Sequence, residues 1–180
     1  MNKKWLLSTA MLILAFGFAS CSSGQTTEGG SDNSSNESSS NRSFDMVNMA
    51  LSQLSYSPND NKGWDYKATG VPAADFQKWA TKNKSTNENA QNEIGDGYVL
   101  QVTGHTDSTG PRDRQADGRL GNLYYSKARA DSVVAAFRNA GIPVTKIKAA
   151  GVADDELLSG LDSKDQKNRR VTFKIVPKAN

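Results

Sequence analysis

Residues 104–110, GHTDSTG, contain the chain's one histidine, His105, beside the hydroxyl of Thr106 and the carboxylate of Asp107. These residue types in a glycine-bounded loop are compatible with a catalytic loop, a metal loop, a binding loop or a plain turn. The plain turn is common, because an aspartate side chain often bonds backbone N–H groups two residues on. The surrounding sequence has to distinguish the four.

Metal binding and catalysis receive little support from the residue pattern. A zinc site needs several ligands, and no second ligand cluster accompanies His105. A serine hydrolase would need a G-x-S-x-G elbow, which the sequence lacks. Asp154 and Asp155 are paired carboxylates, but they lie in a polar segment with no evident burial to raise a pKa. We therefore predict a protein that is not an enzyme and uses no metal or cofactor.

The N-terminal segment is typical of a secretory signal. Two lysines precede an apolar run over residues 5–18, which is shorter than the roughly 18 to 20 residues that cross a bilayer. We predict a signal peptide over residues 1–20. Cys21 follows small residues and, as the one cysteine, can form no intrachain disulfide. The segment resembles a bacterial lipobox, which implies acylation of Cys21, a lipoprotein and an outer-membrane lipid anchor. An ordinary signal peptide with an incidental thiol is the alternative.

Composition divides the rest of the chain. Residues 22–43 contain no apolar side chain, so we expect a disordered tether over residues 21–43. Residues 44–180 have the size of one domain. The net charge of +3 comes from 22 basic and 19 acidic residues that are evenly mixed, which argues against nucleic acid as a partner.

Hydrophobic spacing predicts the elements of this domain. Helices are predicted at 44–56, 71–84 and 122–141, and strands at 64–70, 98–104, 146–151 and 169–176. We expect a helix end and loop at residues 85–97, and a loop at residues 151–168. The order favours an α/β fold, a two-layer sandwich with two main helices on one face of the sheet.

Four blocks of sequence occur in a recognisable order. GHTDSTG is followed by NLYYSKAR at 122–129, by GIPVTKIKAAG at 141–151 and by NRRVTF at 168–173. Together they resemble the C-terminal domain of the OmpA family, shared with peptidoglycan-associated lipoproteins, over roughly residues 98–176. The resemblance implies a mixed sheet and non-covalent binding of the peptide stem of peptidoglycan.

The resemblance implies that Asp107 and Arg129 are the principal contacts. Diaminopimelate in a stem peptide presents an ammonium group and a carboxylate on one carbon, so a site needs a fixed anion and a planar bidentate cation. A helix that begins near Asn122 also turns backbone N–H groups toward a carboxylate.

Secondary roles follow from the same resemblance. Thr106 and Asn122 are expected to donate to ligand carbonyls, and His105 to support the loop. One of Arg169 and Arg170 is expected to brace the ligand loop, and Arg170 is the candidate.

One segment departs from the family pattern. Residues 111–121, PRDRQADGRLG, are longer than the usual link of about four residues and carry three arginines and two aspartates. We favour a solvated excursion, and the alternative is a second wall of the pocket. In that case Arg112, Arg114 or Arg119 would change which stem peptide fits, including one with ornithine in place of diaminopimelate.

We therefore expect a lipoprotein that binds peptidoglycan and tethers the outer membrane to the cell wall, with its domain in the periplasm. The alternative is a surface-exposed lipoprotein that uses the same scaffold as an adhesin for host molecules or for other envelope proteins.

Overall fold

The computed structural model of the chain describes residues 35–179. The predicted signal peptide, Cys21 and the tether residues up to 34 lie outside this range. Within it, no helix combines the length and the apolar character that a bilayer crossing requires.

A four-stranded mixed sheet organises the described part of the chain. β4 (Val171–Pro177) lies between β1 (Ser55–Tyr56) and β2 (Tyr98–Gly104) and is antiparallel to both. β3 (Ile147–Gly151) pairs with β2 in parallel at the edge. This mixed sheet confirms the predicted α/β class.

Five helices accompany the sheet in this part of the chain: α1 (Ser35–Ser52), α2 (Pro58–Asn61), α3 (Ala73–Lys82), α4 (Lys84–Glu93) and α5 (Asn122–Asn139). A 3₁₀ turn, Gln166–Asn168, precedes β4. α2 is a left-handed turn rather than a regular helix, since Asn59, Asp60 and Asn61 all have positive φ. Asn and Asp tolerate this region better than other residues that carry a side chain.

Aromatic side chains hold α3 and α5 on one face of the sheet. Trp79 of α3 stacks on Phe173 of β4 with ring centroids 5.1 Å apart, and Phe137 of α5 meets the same ring at 6.0 Å. Phe76 and Phe137 join the two helices edge to face at 5.3 Å. Phe76, Phe137 and Phe173 are buried, and burial of each such ring contributes about 1.5–3 kcal/mol.

The β2–α5–β3 unit positions the loop that follows β2. Gly104 and Gly151 are register partners at the carboxyl ends of β2 and β3. A Cβ atom on Gly104 would overlap the backbone carbonyl of Ser126, and one on Gly151 would lie 2.6 Å from the Ser126 hydroxyl oxygen. The two glycines therefore let α5 lie directly against the strand ends.

The N-terminal region differs from the sequence prediction in two places. α1 begins at Ser35, so residues 35–43 continue the predicted helix instead of belonging to the tether. Residues 64–70 form no strand. Their chain reverses at Tyr66 and Lys67, where the Ala68 N–H donates to the Asp65 carbonyl at 3.0 Å. The strand of this region is β1, the two residues Ser55 and Tyr56.

The polar segment after α3 also differs, because most of it is helical. α4 spans Lys84–Glu93, where we expected a helix end and loop. It buries Asn87 and Ala90, and Ile94 directly after it is buried as well.

Asn48 of α1 completes the outer edge of β4. Its amide nitrogen donates to the Ile175 carbonyl at 3.0 Å, and its amide oxygen accepts from the Ile175 N–H at 2.7 Å. β1 covers only Val171 and Thr172, so Asn48 satisfies backbone groups that the short strand leaves open.

Candidate functional site

A cavity of about 110 Å³ lies where five segments meet, and we call it the site cavity. The segments are the loop after β2, the first two turns of α5, the turn at residues 65–68, the segment 111–121 and the residues just before β4. Its lining includes Tyr66, Thr106, Asp107, Asn122, Arg129 and Arg169. The structure thus brings together four of the five predicted ligand-binding residues.

Asp107 is buried and held on one side. Its Oδ2 accepts from Arg169 Nη2 at 2.8 Å and from Thr109 Oγ1 at 2.9 Å. Its own carbonyl accepts from Asn122 Nδ2 at 3.2 Å. Within the described part of the chain, no hydrogen bond reaches Oδ1. One carboxylate oxygen therefore fixes the orientation of the group, while the other has no hydrogen-bond partner in the described structure.

Arg129 is 2% exposed and also lines the cavity. Nε donates to the Ala68 carbonyl at 3.0 Å, and Nη1 donates to the His105 carbonyl at 3.1 Å. The guanidinium also lies over the Trp64 ring, 5.6 Å from its centroid. Nη2 has no hydrogen-bond partner among residues 35–179.

The charge of Arg129 is poorly compensated in the described structure. Burial, and to a smaller extent the nearby charge of Arg169, lowers the pKa of Arg129 to about 10. The side chain stays protonated at neutral pH, and a desolvated cation favours an anion that comes within contact distance.

Thr106 and Asn122 have different roles, although we predicted the same one for both. Thr106 is buried, and its hydroxyl oxygen has no hydrogen-bond partner. Asn122 uses its side chain on the Asp107 carbonyl, and its N–H donates to the Pro111 carbonyl at 2.8 Å. Thr106 therefore keeps a free hydroxyl, whereas Asn122 braces the loop.

His105 lies beneath the loop, fully buried. The ring Nε2 is 2.8 Å from Thr172 Oγ1. The backbone N–H of His105 donates to the Arg170 carbonyl at 2.9 Å. Burial, followed by the positive charge of Arg170, lowers the pKa of the imidazole to about 3. A neutral, buried ring in these contacts supports the loop. In the part of the chain that the structure describes, no group of three or more metal-ligating side chains occurs.

Arg169, not Arg170, braces the loop after β2 that carries Asp107. Besides its bond to Asp107, Arg169 donates through Nη1 to the Trp64 carbonyl at 3.0 Å. The Arg170 side chain instead donates through Nη2 to the Glu156 carbonyl, in the loop after β3, at 2.9 Å. Arg170 does not line the cavity, because the chain turns between the two arginines on leaving the 3₁₀ turn.

The segment 111–121 contributes a wall to the cavity. Pro111, Arg119 and Leu120 line it, although most of the segment is exposed, as the favoured prediction of a solvated excursion requires. The base of the segment is closed by the bond from the Leu123 N–H to the Arg112 carbonyl at 3.0 Å. A Cβ atom on Gly121 would overlap backbone oxygens of this base, so the close approach requires glycine there.

A bidentate ion pair links the same segment to the loop that follows β3. Both Nη nitrogens of Arg112 donate to the carboxylate of Asp155, Nη2 at 2.9 Å. The segment is therefore fixed at its base and against the loop that follows β3.

The fold and the cavity define a mixed α/β domain whose cavity is lined by an acidic loop residue, Asp107, and a helix arginine, Arg129. Residues 81–170, half of the chain, match the OmpA family. The chain belongs to the OmpA family.

Comparison with solved structures finds related folds at low identity. The OmpA-like domain of FopA1 from Francisella tularensis is 18% identical, with a TM-score of 0.42 over 65% of this chain and 72% of that chain. The peptidoglycan-associated lipoprotein from Burkholderia pseudomallei is 19% identical, with a TM-score of 0.43 over 66% of this chain and 98% of that chain. The C-terminal domain of Helicobacter pylori MotB is 16% identical, with a TM-score of 0.47 over 66% of this chain and 86% of that chain. No curated protein matches the chain.

Proposed function

We propose that this protein binds the peptide stem of peptidoglycan non-covalently in the site cavity. The observation that carries the proposal is that Asp107 and Arg129 line one cavity and that each keeps a polar atom, Oδ1 and Nη2 respectively, without a hydrogen-bond partner among residues 35–179. An ammonium group and a carboxylate on one carbon, as in diaminopimelate, match this pair in charge and in hydrogen-bonding capacity. Membership of the OmpA family supports the same ligand class.

The surroundings favour such a ligand because both charged groups are already desolvated and oriented. Asp107 is 3% exposed and Arg129 is 2% exposed, and the hydrogen bonds described above hold each in place. Little ordering is therefore required on binding, which is the main advantage of a preorganised site. The free hydroxyl of Thr106 supplies a further donor for a ligand carbonyl or carboxylate.

The proposal extends to anchoring. Acylation of Cys21 would attach the chain to an outer membrane, and the domain would then hold that membrane to the wall from the periplasmic side. The lipid and the site act as separate modules, so Cys21→Ala should leave the affinity for isolated wall unchanged.

The test is sedimentation with isolated sacculi, using the full-length chain in detergent. We expect the wild type to sediment and free diaminopimelate to displace it. Asp107→Asn should weaken binding by at least about tenfold, since loss of one member of a desolvated charge pair typically costs 2 to 5 kcal/mol. Asp113→Asn is the matched control, because this exposed carboxylate removes the same charge without lining the cavity.

Two outcomes would contradict the proposal. Equal sedimentation of the wild type and Asp107→Asn would contradict the assignment of the binding site to this cavity. A folded wild type that does not sediment would contradict peptidoglycan as the ligand and favour a protein partner instead.

A further inference from the structure

The lining of the site cavity has an excess of positive charge. Among its described residues, Lys67, Arg119, Arg129 and Arg169 face a single carboxylate, Asp107. The ion pair with Asp107 compensates Arg169, and the ligand carboxylate proposed above would compensate Arg129. Lys67 then remains without an anion, and Arg119 is paired only with Asp117, an exposed residue of its own segment.

Lys67 is presented by a turn that also supports Arg129. It occupies the third position of the turn at residues 65–68 with a φ of 62°, in the left-handed region. A non-glycine residue in that region stores strain on the order of 1 kcal/mol or more, and such outliers are frequent at ligand sites. The next residue, Ala68, accepts from Arg129 Nε. The Lys67 ammonium group lies over the Tyr66 ring, 5.2 Å from its centroid. Among the described residues it has no acidic partner.

Arg119 reaches the cavity from the segment 111–121. Its side-chain Nε donates to Asp117 Oδ2 at 2.7 Å, and its backbone N–H donates to Asp117 Oδ1 at 3.1 Å. This contact leaves Nη1 and Nη2 without a partner among the described residues. Asp117 thus orients the guanidinium without using its fork, which is the part that binds carboxylates bidentately.

The base of the segment 111–121 is fixed, so Arg119 belongs to a built wall rather than to a mobile excursion. Gly121, at the end of the segment, packs against the backbone of Arg112 and Asp113 at its start. The ion pair of Arg112 with Asp155 attaches the segment to the loop after β3. Arg114, the third arginine of the segment, does not line the cavity.

We infer that Lys67 and Arg119 form a second anion subsite, which binds a second carboxylate of the stem peptide. The inference rests on the proposed function and adds to it a preference among stem peptides. A stem tetrapeptide offers two further carboxylates of this kind, that of its glutamate and that of its chain end. Either has the required chemistry, and a peptide in which the recognised carboxylate is amidated or cross-linked would bind less well.

The experiment is calorimetric titration of the full-length chain in detergent with three synthetic stem tetrapeptides containing diaminopimelate. One has all carboxylates free, one carries a carboxamide at the chain end, and one carries a carboxamide at the glutamate. We expect one of the two carboxamides to weaken wild-type binding by about fivefold, a modest effect because the two cations are exposed. The loss should shrink as salt is raised. The peptide that loses affinity identifies the carboxylate.

The variant Lys67→Gln/Arg119→Gln completes the test. It should bind the free peptide about fivefold more weakly than the wild type and lose nothing further on amidation, because the partner of the carboxylate is gone. Arg114→Gln removes the same charge from the same segment and should behave as the wild type.

The failures are distinguishable. Equal wild-type affinity for all three peptides, or an unchanged affinity of the double variant, would overturn the second subsite and leave the proposed function standing. No wild-type binding to any peptide would overturn both.

Discussion

Arg169 Nη2 lies 2.8 Å from Asp107 Oδ2, and this ion pair joins the segment before β4 to the loop after β2. The side chains of Arg169 and Asp107 are 12% and 4% exposed, so the pair is largely shielded from water. Arg169 also binds the Trp64 carbonyl, which ties the chain before α3 to the same point. Three distant parts of the sequence therefore meet at this ion pair, and the second oxygen of Asp107 has no hydrogen-bond partner in the described structure.

Arg129→Lys tests whether the shape of this side chain matters as well as its charge. A lysine has one compact ammonium group where Arg129 uses two separate nitrogens for the Ala68 and His105 carbonyls, so we expect one carbonyl to lose its donor, and leaving a buried acceptor unsatisfied costs about 1–3 kcal/mol. We expect the free energy of unfolding to fall by that amount and binding to sacculi to weaken by about tenfold. Urea unfolding and sedimentation measure the two effects. Arg138→Lys, an exposed change on the same helix, should alter neither, and an unchanged Arg129→Lys would contradict the geometry.

Thr106→Val separates a ligand-binding hydroxyl from a structural one. The Thr106 hydroxyl is buried without a partner, so its removal should leave the free energy of unfolding unchanged or raise it. If it serves the ligand, affinity for the stem peptide should fall by about threefold to tenfold. Thr109→Val should show the opposite pattern in stability, because the Thr109 hydroxyl bonds Asp107. Lower stability of Thr106→Val with unchanged affinity would argue against the role.

Gly104→Ala tests the close contact between β2 and α5. The new methyl group would overlap the Ser126 carbonyl, and forcing atoms into such a packed contact costs about 3 kcal/mol. The control is Gly95→Ala, where a Cβ atom meets nothing within 4 Å. Thermal unfolding should therefore separate the two variants clearly, and equal stability would contradict the close approach of α5 to β2.

Stability should fall in mild acid because of His105. Its folded-state pKa of about 3 lies below the usual 6.5, so below pH 6.5 the unfolded chain binds a proton that the folded chain does not. The free energy of unfolding should then decrease by about 1.4 kcal/mol per pH unit, or about 2 kcal/mol between pH 6.5 and pH 5.

Urea unfolding across this pH range measures the loss, and His105→Gln should abolish most of it. The groups that face the ring are Arg170, Glu156 and Thr172, and none of the three is changed in this variant. Parallel pH profiles of the wild type and His105→Gln would rule out the histidine as the cause.

Strong hydrophobic patterns predicted much of the fold. β2 and the start of α5 at Asn122 match the predicted bounds, because valines and leucines mark the strand and an apolar face marks the helix. α4 has no such pattern, and its burial of Asn87 depends on tertiary packing. The alternation at residues 64–70 suggested a strand, but the Trp64 indole N–H donates to the Gly70 carbonyl across a turn instead, at 2.7 Å.

The site was predictable where residue type decides and not where chain geometry decides. Asp107 and Arg129 are of the types that the proposed ligand requires, and both line one cavity. Arg169 and Arg170 are identical neighbours, so only the turn before β4 determines which one faces the cavity. Likewise, composition predicted a solvated segment 111–121, and most of it is exposed, but the way its base packs against α5 also lets Pro111, Arg119 and Leu120 line the cavity.

The contact of Asn48 with Ile175 has a consequence for how molecules of this protein meet one another. An open strand edge is a template for pairing with another chain, and the outer edge of β4 beyond β1 is such an edge. Asn48 occupies both polar backbone groups of Ile175, so an incoming strand finds no continuous row of donors and acceptors there. The Asn48 side chain thus protects this part of the sheet from edge-to-edge association with a second copy of the chain.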